Sequence, residues 1–368
     1  MQTITEQIAS LLDSARQARE HGRPLVKIGI DAHLAWLVIV EQCDEQPPKP
    51  ARKINVEGLL RLVGDHRRAQ HAVFTCYEAG PLGFGLHRQL SKVGVNNIVV
   101  RPRLLAEYGQ RLKTDRRDAE QLTNNLDRFL GGNLQALAPI AVPSPEEEQR
   151  RTLARQREHL SRQRRRELQQ ARGTALFHGY AMHGTWWSPT RWLQLRPSLP
   201  EWLQHSIDTT LARVALIEAQ MTALEKEMTA SVPDERPKGL GALTSALVDR
   251  EVIDWHRFRN GKQVASFTGL VPSEASSGQH QRQGSITKHG NPIVRRLLVE
   301  CAWRLVLYQP SYKPMLKWGP VLTDPRASRA RRKKLIVALA RQWAVDLWRW
   351  RTGRIRLADL GLVMAPTV

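Results

Sequence analysis

Up to Leu130 the chain alternates short, β-branched apolar runs with helix-like stretches, and two of those runs end on an acid. Leu25-Val-Lys-Ile-Gly-Ile-Asp-Ala-His33 reads as a strand closing on Asp31, and Leu34–Val40 as a second strand antiparallel to it. His71-Ala-Val-Phe-Thr-Cys-Tyr-Glu-Ala-Gly80 is a further strand that closes on Glu78. The spacing predicts a helix over Leu82–Val93 and a short strand over Asn97–Pro102. Lys113-Thr-Asp-Arg-Arg-Asp-Ala-Glu-Gln-Leu122 then opens a helix that runs to about Leu130. Such alternation builds an α/β sheet domain, and in open sheets the strand ends converge on one rim where ligands bind. The acids are therefore expected on a common rim.

Asp115 and Asp118 are three apart on that helix, so their Cβ atoms lie roughly 5–6 Å apart on one face. Neighbouring carboxylates repel unless a cation sits between them. Asp31, Glu78, Asp115 and Asp118 together could hold two Mg²⁺ ions, the arrangement that clamps the attacking and leaving oxygens of a phosphodiester. Singly, Asp31 or Glu78 is better explained by a cap, a turn or a surface pair, since an acid at a strand end is common. The joint pattern, at the ends of otherwise apolar strands, favours the metal site.

Phosphodiester chemistry agrees with the charge. The chain has 368 residues, 56 Lys plus Arg against 35 Asp plus Glu, and a net charge of +21. A protein this basic is expected to meet a polyanion, nucleic acid first. The charge is clustered: Arg150–Arg172 holds nine Arg and two Glu, and Arg326–Arg356 holds eleven Lys or Arg and one acid, Asp346. Cys43, Cys76 and Cys301 are far apart and fit free thiols in a reducing compartment. The histidines show no zinc-binding spacing, no apolar run is long enough for a bilayer, and the N-terminus carries acids early. A cytosolic protein is the expectation.

Four segments follow: an N-terminal helix over 1–24, the α/β domain over 25–136, a linker and helical hairpin over 137–232, and a C-terminal region over 233–368 with basic tail helices. The linker is punctuated by Pro139, Pro143 and Pro145. The hairpin pairs Glu146–Arg172 with Glu201–Ala230, whose apolar residues from Leu203 to Met228 are near-heptad, and Trp186, Trp187 and Trp192 lie in its turn. Helices are expected at Pro292–Tyr308 and Arg331–Arg351. Several of the eleven tryptophans flank arginines, as in Trp348-Arg-Trp-Arg351, and could stack on bases, although Trp343 and Trp350 lie on an apolar helix side.

Ile28-Gly-Ile-Asp31, Cys76-Tyr-Glu-Ala-Gly-Pro81 and Lys113-Thr-Asp-Arg-Arg-Asp-Ala-Glu120 resemble the three signature stretches of the DEDD-type insertion-sequence transposases, described as bridge-RNA-guided recombinases and related to Piv-type DNA invertases. Gly269–Gly278, Gly284–Asn291 and Arg295–Glu300 resemble that family's C-terminal transposase domain. The resemblance implies a RuvC-like, RNase H-type fold for residues 25–136, a coiled-coil hairpin, and a mainly α-helical C-terminal domain. It implies Mg²⁺ bound by Asp31, Glu78, Asp115 and Asp118, and a serine, matched to Ser277 with Ser276 adjacent, that attacks DNA to give a phosphoserine link. By its residues alone the serine segment reads as a turn or helix cap. Also implied are donor and target double-stranded DNA, a structured noncoding guide RNA, and a homodimer or homotetramer. The alternative is a Mg²⁺-dependent RuvC-like nuclease or Holliday-junction resolvase with no covalent intermediate.

Phosphate contacts have weaker signals. Lys238-Gly239-Leu-Gly241 resembles a helix-hairpin-helix turn, and equally a plain helix–helix turn. Lys288, Arg295 and Arg296 flank the serine segment and could hold phosphates or form a solvated face. Arg331 and Arg332, with the arginines of 150–172, are expected to touch backbone phosphate without reading bases.

Overall fold

The computed structural model describes residues 4–80, 82–102, 114–230, 232–233, 235–277 and 280–365, and the chain divides into two compact units, Met1–Val142 and Pro143–Val368. Lys113 and Gly278, parts of the motifs above, lie outside the described residues.

The first unit runs α1 (Ile4–Glu20), β1 (Leu25–Ala32), β2 (Leu37–Cys43), β3 (Arg52–Ile54), α2 (Val56–Arg68), β4 (Ala72–Glu78), α3 (Gly85–Lys92), β5 (Asn96–Val100) and α4 (Asp115–Leu130). One sheet is ordered β3-β2-β1-β4-β5. The first three strands form an antiparallel meander, and β4 and β5 join parallel to β1. This mixed sheet with helices on both faces has RNase H/RuvC-like topology. The expected strands and helices recur within a few residues of their predicted bounds. The edge strand β3 and helix α2 were not anticipated.

Strand residues alternate between two cores. Leu25, Phe74, Cys76, Ile98 and Val100 pack with Leu11 and Ala15 of α1 and Leu122, Leu126 and Phe129 of α4. Val26, Ile28, Ile30, Val73, Tyr77 and Val99 pack on the other face with Leu59 and Val63 of α2 and Leu86 and Leu90 of α3. The odd positions of β1 and the even positions of β4 therefore face α4, and this alternation carries Asp31 and Glu78 to the α4 side. The β1–β4 register ends at Ile30↔Tyr77, so the two acids follow at the same height on adjacent strands.

Helix α4 lies unusually close to β1. A Cβ on Gly29 would stand 2.4 Å from the Ala119 carbonyl oxygen and 2.4 Å from the Thr123 nitrogen. Into that space goes the Thr123 hydroxyl, which accepts from the Gly29 amide at 2.9 Å and lies 2.9 Å from the carbonyl oxygens of Val40 and Ala119. One step back along the strand, the buried Lys27 ammonium pairs with Asp127 and the Asp44 carbonyl.

The second unit comprises α5 (Pro145–Phe177), α6 (Pro189–Leu195), α7 (Glu201–Thr229), α8 (Ala242–Val252), α9 (Gly261–Thr268), β6 (Pro272–Ser277), β7 (His280–Ile286), α10 (Pro292–Tyr308), α11 (Lys313–Thr323) and α12 (Arg329–Arg351). A capping box of Ser144 and Glu147 starts α5. Helix α7 buries Leu203, Ile207, Thr210, Val214 and Ile217, steps of four and three that form a coiled-coil seam. Ion pairs Arg157–Glu225 and Arg213–Glu167 tie α5 and α7 and give them opposite directions. The remaining helices enclose a core with Trp343, Tyr312, Leu339 and Leu298 at its centre. Trp348 is buried there under the Arg354 guanidinium, and Trp350 lies against Arg351, so both stack on the protein's own arginines.

Gly29→Ala should cost about 1–3 kcal/mol of stability, the usual range for overpacking. Urea unfolding followed in the first unit checks this, and a wild-type transition midpoint would contradict the close α4–β1 approach.

Candidate metal centre

Asp31 is set at its position by the β1–β2 ladder, where it faces Val38. Asp115 and Asp118 occupy the first turn of α4, after the N-cap Thr114. Acids in the first turn of a helix are favoured by its dipole. His33, just past β1, completes the group. Its backbone N–H donates to the Trp36 carbonyl at 2.9 Å, and its ring lies 5.8 Å from that of Trp36, which Lys53 covers at 3.6 Å.

The His33 Nε2 lies 3.2 Å from Asp31 Oδ2 and 3.2 Å from Asp115 Oδ2. Asp31, His33 and Asp115 each offer a ligand atom, all within 4.8 Å of one another, and they are the one such group among the described residues. Three donors converging on a single point suit a divalent cation. Burial raises the Asp31 pKa above the ordinary aspartate value; Asp115 and Asp118 push it the same way, and His33 opposes them. A cation would relieve that repulsion, so the donor set fits a metal on electrostatic as well as geometric grounds.

Glu78 and Asp118 are not in this triad. They line one adjoining cleft with Arg101, Gln121 and Asn125. Asp118 is near enough to act on Asp31 electrostatically, and Glu78 shares its sheet face. Of the four acids expected from the sequence, Asp31 and Asp115 gather with His33 into one donor group, and Glu78 and Asp118 line the cleft beside it. His33 and Arg101 were missed. A readable signal existed for His33: in Asp31-x-His33 the two side chains fall on the same face of an extended segment.

The serine segment does not form the expected turn or cap. Ser276 and Ser277 are strand residues of β6, paired with Gln281 and His280 of β7. Lys238 and Gly239 form a turn between the Pro237↔Met364 bridge and α8, with Gly239 at φ +99° and Gly241 as the α8 N-cap. No helix immediately precedes that turn, so it is not a helix-hairpin-helix. Arg295 donates to the carbonyls of Thr268 and Lys288, and Arg296 pairs with Glu158 and Glu300. Both guanidinia brace the protein. Lys288 is exposed with φ +57°. Arg331 and Arg332 lie in the first turn of α12, which contains no acid. Among the described residues no helix is long and apolar enough to cross a membrane.

Fold and donors define a class: a RuvC-like, Mg²⁺-dependent enzyme of phosphodiester chemistry. Residues 235–315 match the model of the transposase IS116/IS110/IS902 family. The transposase candidate y4rJ of Sinorhizobium fredii is 30% identical over 330 residues, 80% of this chain and 83% of that protein. A second Sinorhizobium fredii candidate, y4qE, is 35% identical over 260 residues, 67% of this chain and 62% of its own length. The transposase for insertion sequence element IS1533 of Leptospira borgpetersenii is 25% identical over 299 residues, 76% of this chain and 85% of its own. The chain belongs to this family of DNA transposases, the group that includes bridge-RNA-guided recombinases.

Family and site also correct one expectation. They support a Mg²⁺-dependent RuvC-like nuclease mechanism, centred on the Asp31, His33 and Asp115 cluster, rather than a phosphoserine intermediate on Ser277. The physical reason is that the cluster assembles the donors for metal-assisted attack within the first unit, without a serine nucleophile.

Because the Asp31 pKa is raised in the fold, the metal-free protein binds more protons at this group than the unfolded chain does. Stability from this group is present below the ordinary aspartate pKa and falls as pH rises through the elevated value. Asp31→Asn should therefore raise the metal-free melting temperature at pH 7. Mg²⁺ at ten times its Kd should stabilise wild type by about 1.4 kcal/mol and the variant not at all. Scanning calorimetry with and without Mg²⁺ checks both, and an equal Mg²⁺ response in the two proteins would remove Asp31 from the site.

Proposed function

We propose that this transposase cuts DNA strands by a Mg²⁺-dependent, RuvC-like mechanism in which Asp31, His33, Asp115, Glu78 and Asp118 form the catalytic rim. The observation that carries the reading is the convergence of Asp31, His33 and Asp115 within 4.8 Å, in the family setting of DNA transposition. Magnesium held there would supply Lewis-acid activation and neutralise charge developing on the phosphate. Asp31, His33 and Asp115 would hold and orient it. Glu78 and Asp118 are placed to hold a second ion or to take the proton of the attacking water. Arg101, in the same cleft, is placed to bind a neighbouring phosphate. Attack on phosphorus forms one P–O bond and breaks the bond to the 3′ oxygen, leaving a 3′-hydroxyl and a 5′-phosphate.

The family includes RNA-guided recombinases, and the net charge of +21 suits RNA as well as DNA. A structured guide RNA, a homodimer or homotetramer joining two duplexes, and action at the nucleoid in the cytoplasm belong to this reading. If base pairing selects the target, the protein need recognise only duplex shape and backbone.

Asp115→Asn should lower Mg²⁺-dependent cleavage by more than the 10–100-fold that loss of an outer metal partner typically costs. Nicking of plasmid DNA measures this. Denaturing capture of the wild-type reaction should give free 5′-phosphates; protein-linked strands would overturn the mechanism.

A further inference from the structure

From Arg157 onward the arginines of α5 fall into two groups. Those toward α7 are neutralised: Arg157 pairs with Glu225, and Arg164 with Glu218. The acids of the helix's middle are also committed, Glu158 to Arg296 and Glu167 to Arg213. Arg162, Arg165, Arg166 and Arg172 are exposed, turn away from the seam of Leu160, Arg164, Leu168 and Ala171, and have no carboxylate partner among the described residues. Like charges three and four apart destabilise a helix, and no nearby acid remains to offset them. Gln169 and Gln170, also exposed, add hydrogen-bond donors along the same stretch. From Arg162 to Arg172 the helix rises about 15 Å, a length over which duplex DNA carries about nine phosphate charges.

We propose that this outward face of α5 is a track for the phosphate backbone of duplex DNA. It rests on the family's action on DNA and adds a binding surface remote in sequence from the acids. Guanidinia can fork onto phosphate oxygens, and four of them on a stiff helix position a duplex without reading its bases.

The test is fluorescence anisotropy of a labelled DNA duplex with the full chain in EDTA, across a salt series. Changing Arg162, Arg165, Arg166 and Arg172 together to Gln should reduce the slope of log K against log salt by about 3–4, at about 0.9 per phosphate contact. The corresponding Lys variant should keep the slope. Two paired variants, Arg162/Arg166→Gln and Arg165/Arg172→Gln, should each remove about half of the change, which separates lost contacts from lost folding. An unchanged slope in the Gln variant overturns the proposal, as does a loss confined to an RNA hairpin probe. Failure of the parent reading looks different: wild type would bind the duplex and leave it uncut when Mg²⁺ is added.

Discussion

The site depends on how closely α4 can approach β1. Two strand residues advance about 6.7 Å and four helical residues about 6 Å, so the two elements stay in step as they run in opposite directions. Lys27 meets Asp127, and Gly29 meets Thr123 and Ala119. The next step brings Asp31 beside the first turn of α4. Without a side chain at Gly29 the helix backbone can sit against the strand, and the Thr123 hydroxyl satisfies the buried amide so exposed. Every metal-directed contact of Asp115 follows from that approach.

The closeness has an electrostatic cost. Asp31 is partly buried among Asp115 and Asp118, and its proton affinity rises. The α4 N-terminus and His33 offset part of the repulsion. The remainder favours a divalent cation, and the affinity for metal and the instability without it have one origin. The surrounding protein has the opposite sign. A net charge of +21 draws in DNA, while the acidic rim repels phosphate until a cation neutralises it.

Much of this was legible. Alternating apolar runs identified β1, β2, β4 and β5, because a strand between two packed faces shows its burial in composition. Asp31 and Glu78 were legible as strand-end acids, and Asp115 and Asp118 as neighbours by helical spacing. His33 was not singled out, since its signal lay in the same-face spacing of Asp31-x-His33 and not in composition. The β6–β7 hairpin was hidden for a related reason: Pro272–Ser277 is small and polar, and its strand character comes from pairing with β7. For Arg295 and Arg296 the sequence left phosphate contact and a solvated face open, because charge is visible in a sequence and its partners are not; Glu158 is 138 residues from Arg296. The resemblance to DEDD transposases placed the attacking oxygen on Ser277, whereas the gathered donors favour metal-assisted attack in the first unit.

By itself the sequence determined the α/β and helical-hairpin architecture, the strand-end acids and the basic character, because these rest on local periodicity and composition. Tertiary structure alone decided which donors meet. His33 joins Asp31 and Asp115 through a turn and a helix approach, Glu78 and Asp118 take an adjoining cleft, and between Arg157 and Arg172 four arginines of α5 have no carboxylate partner among the described residues while Arg157 and Arg164 are paired. Each outcome depends on distances between residues far apart in the chain, set by packing at Gly29 and along the α5–α7 seam.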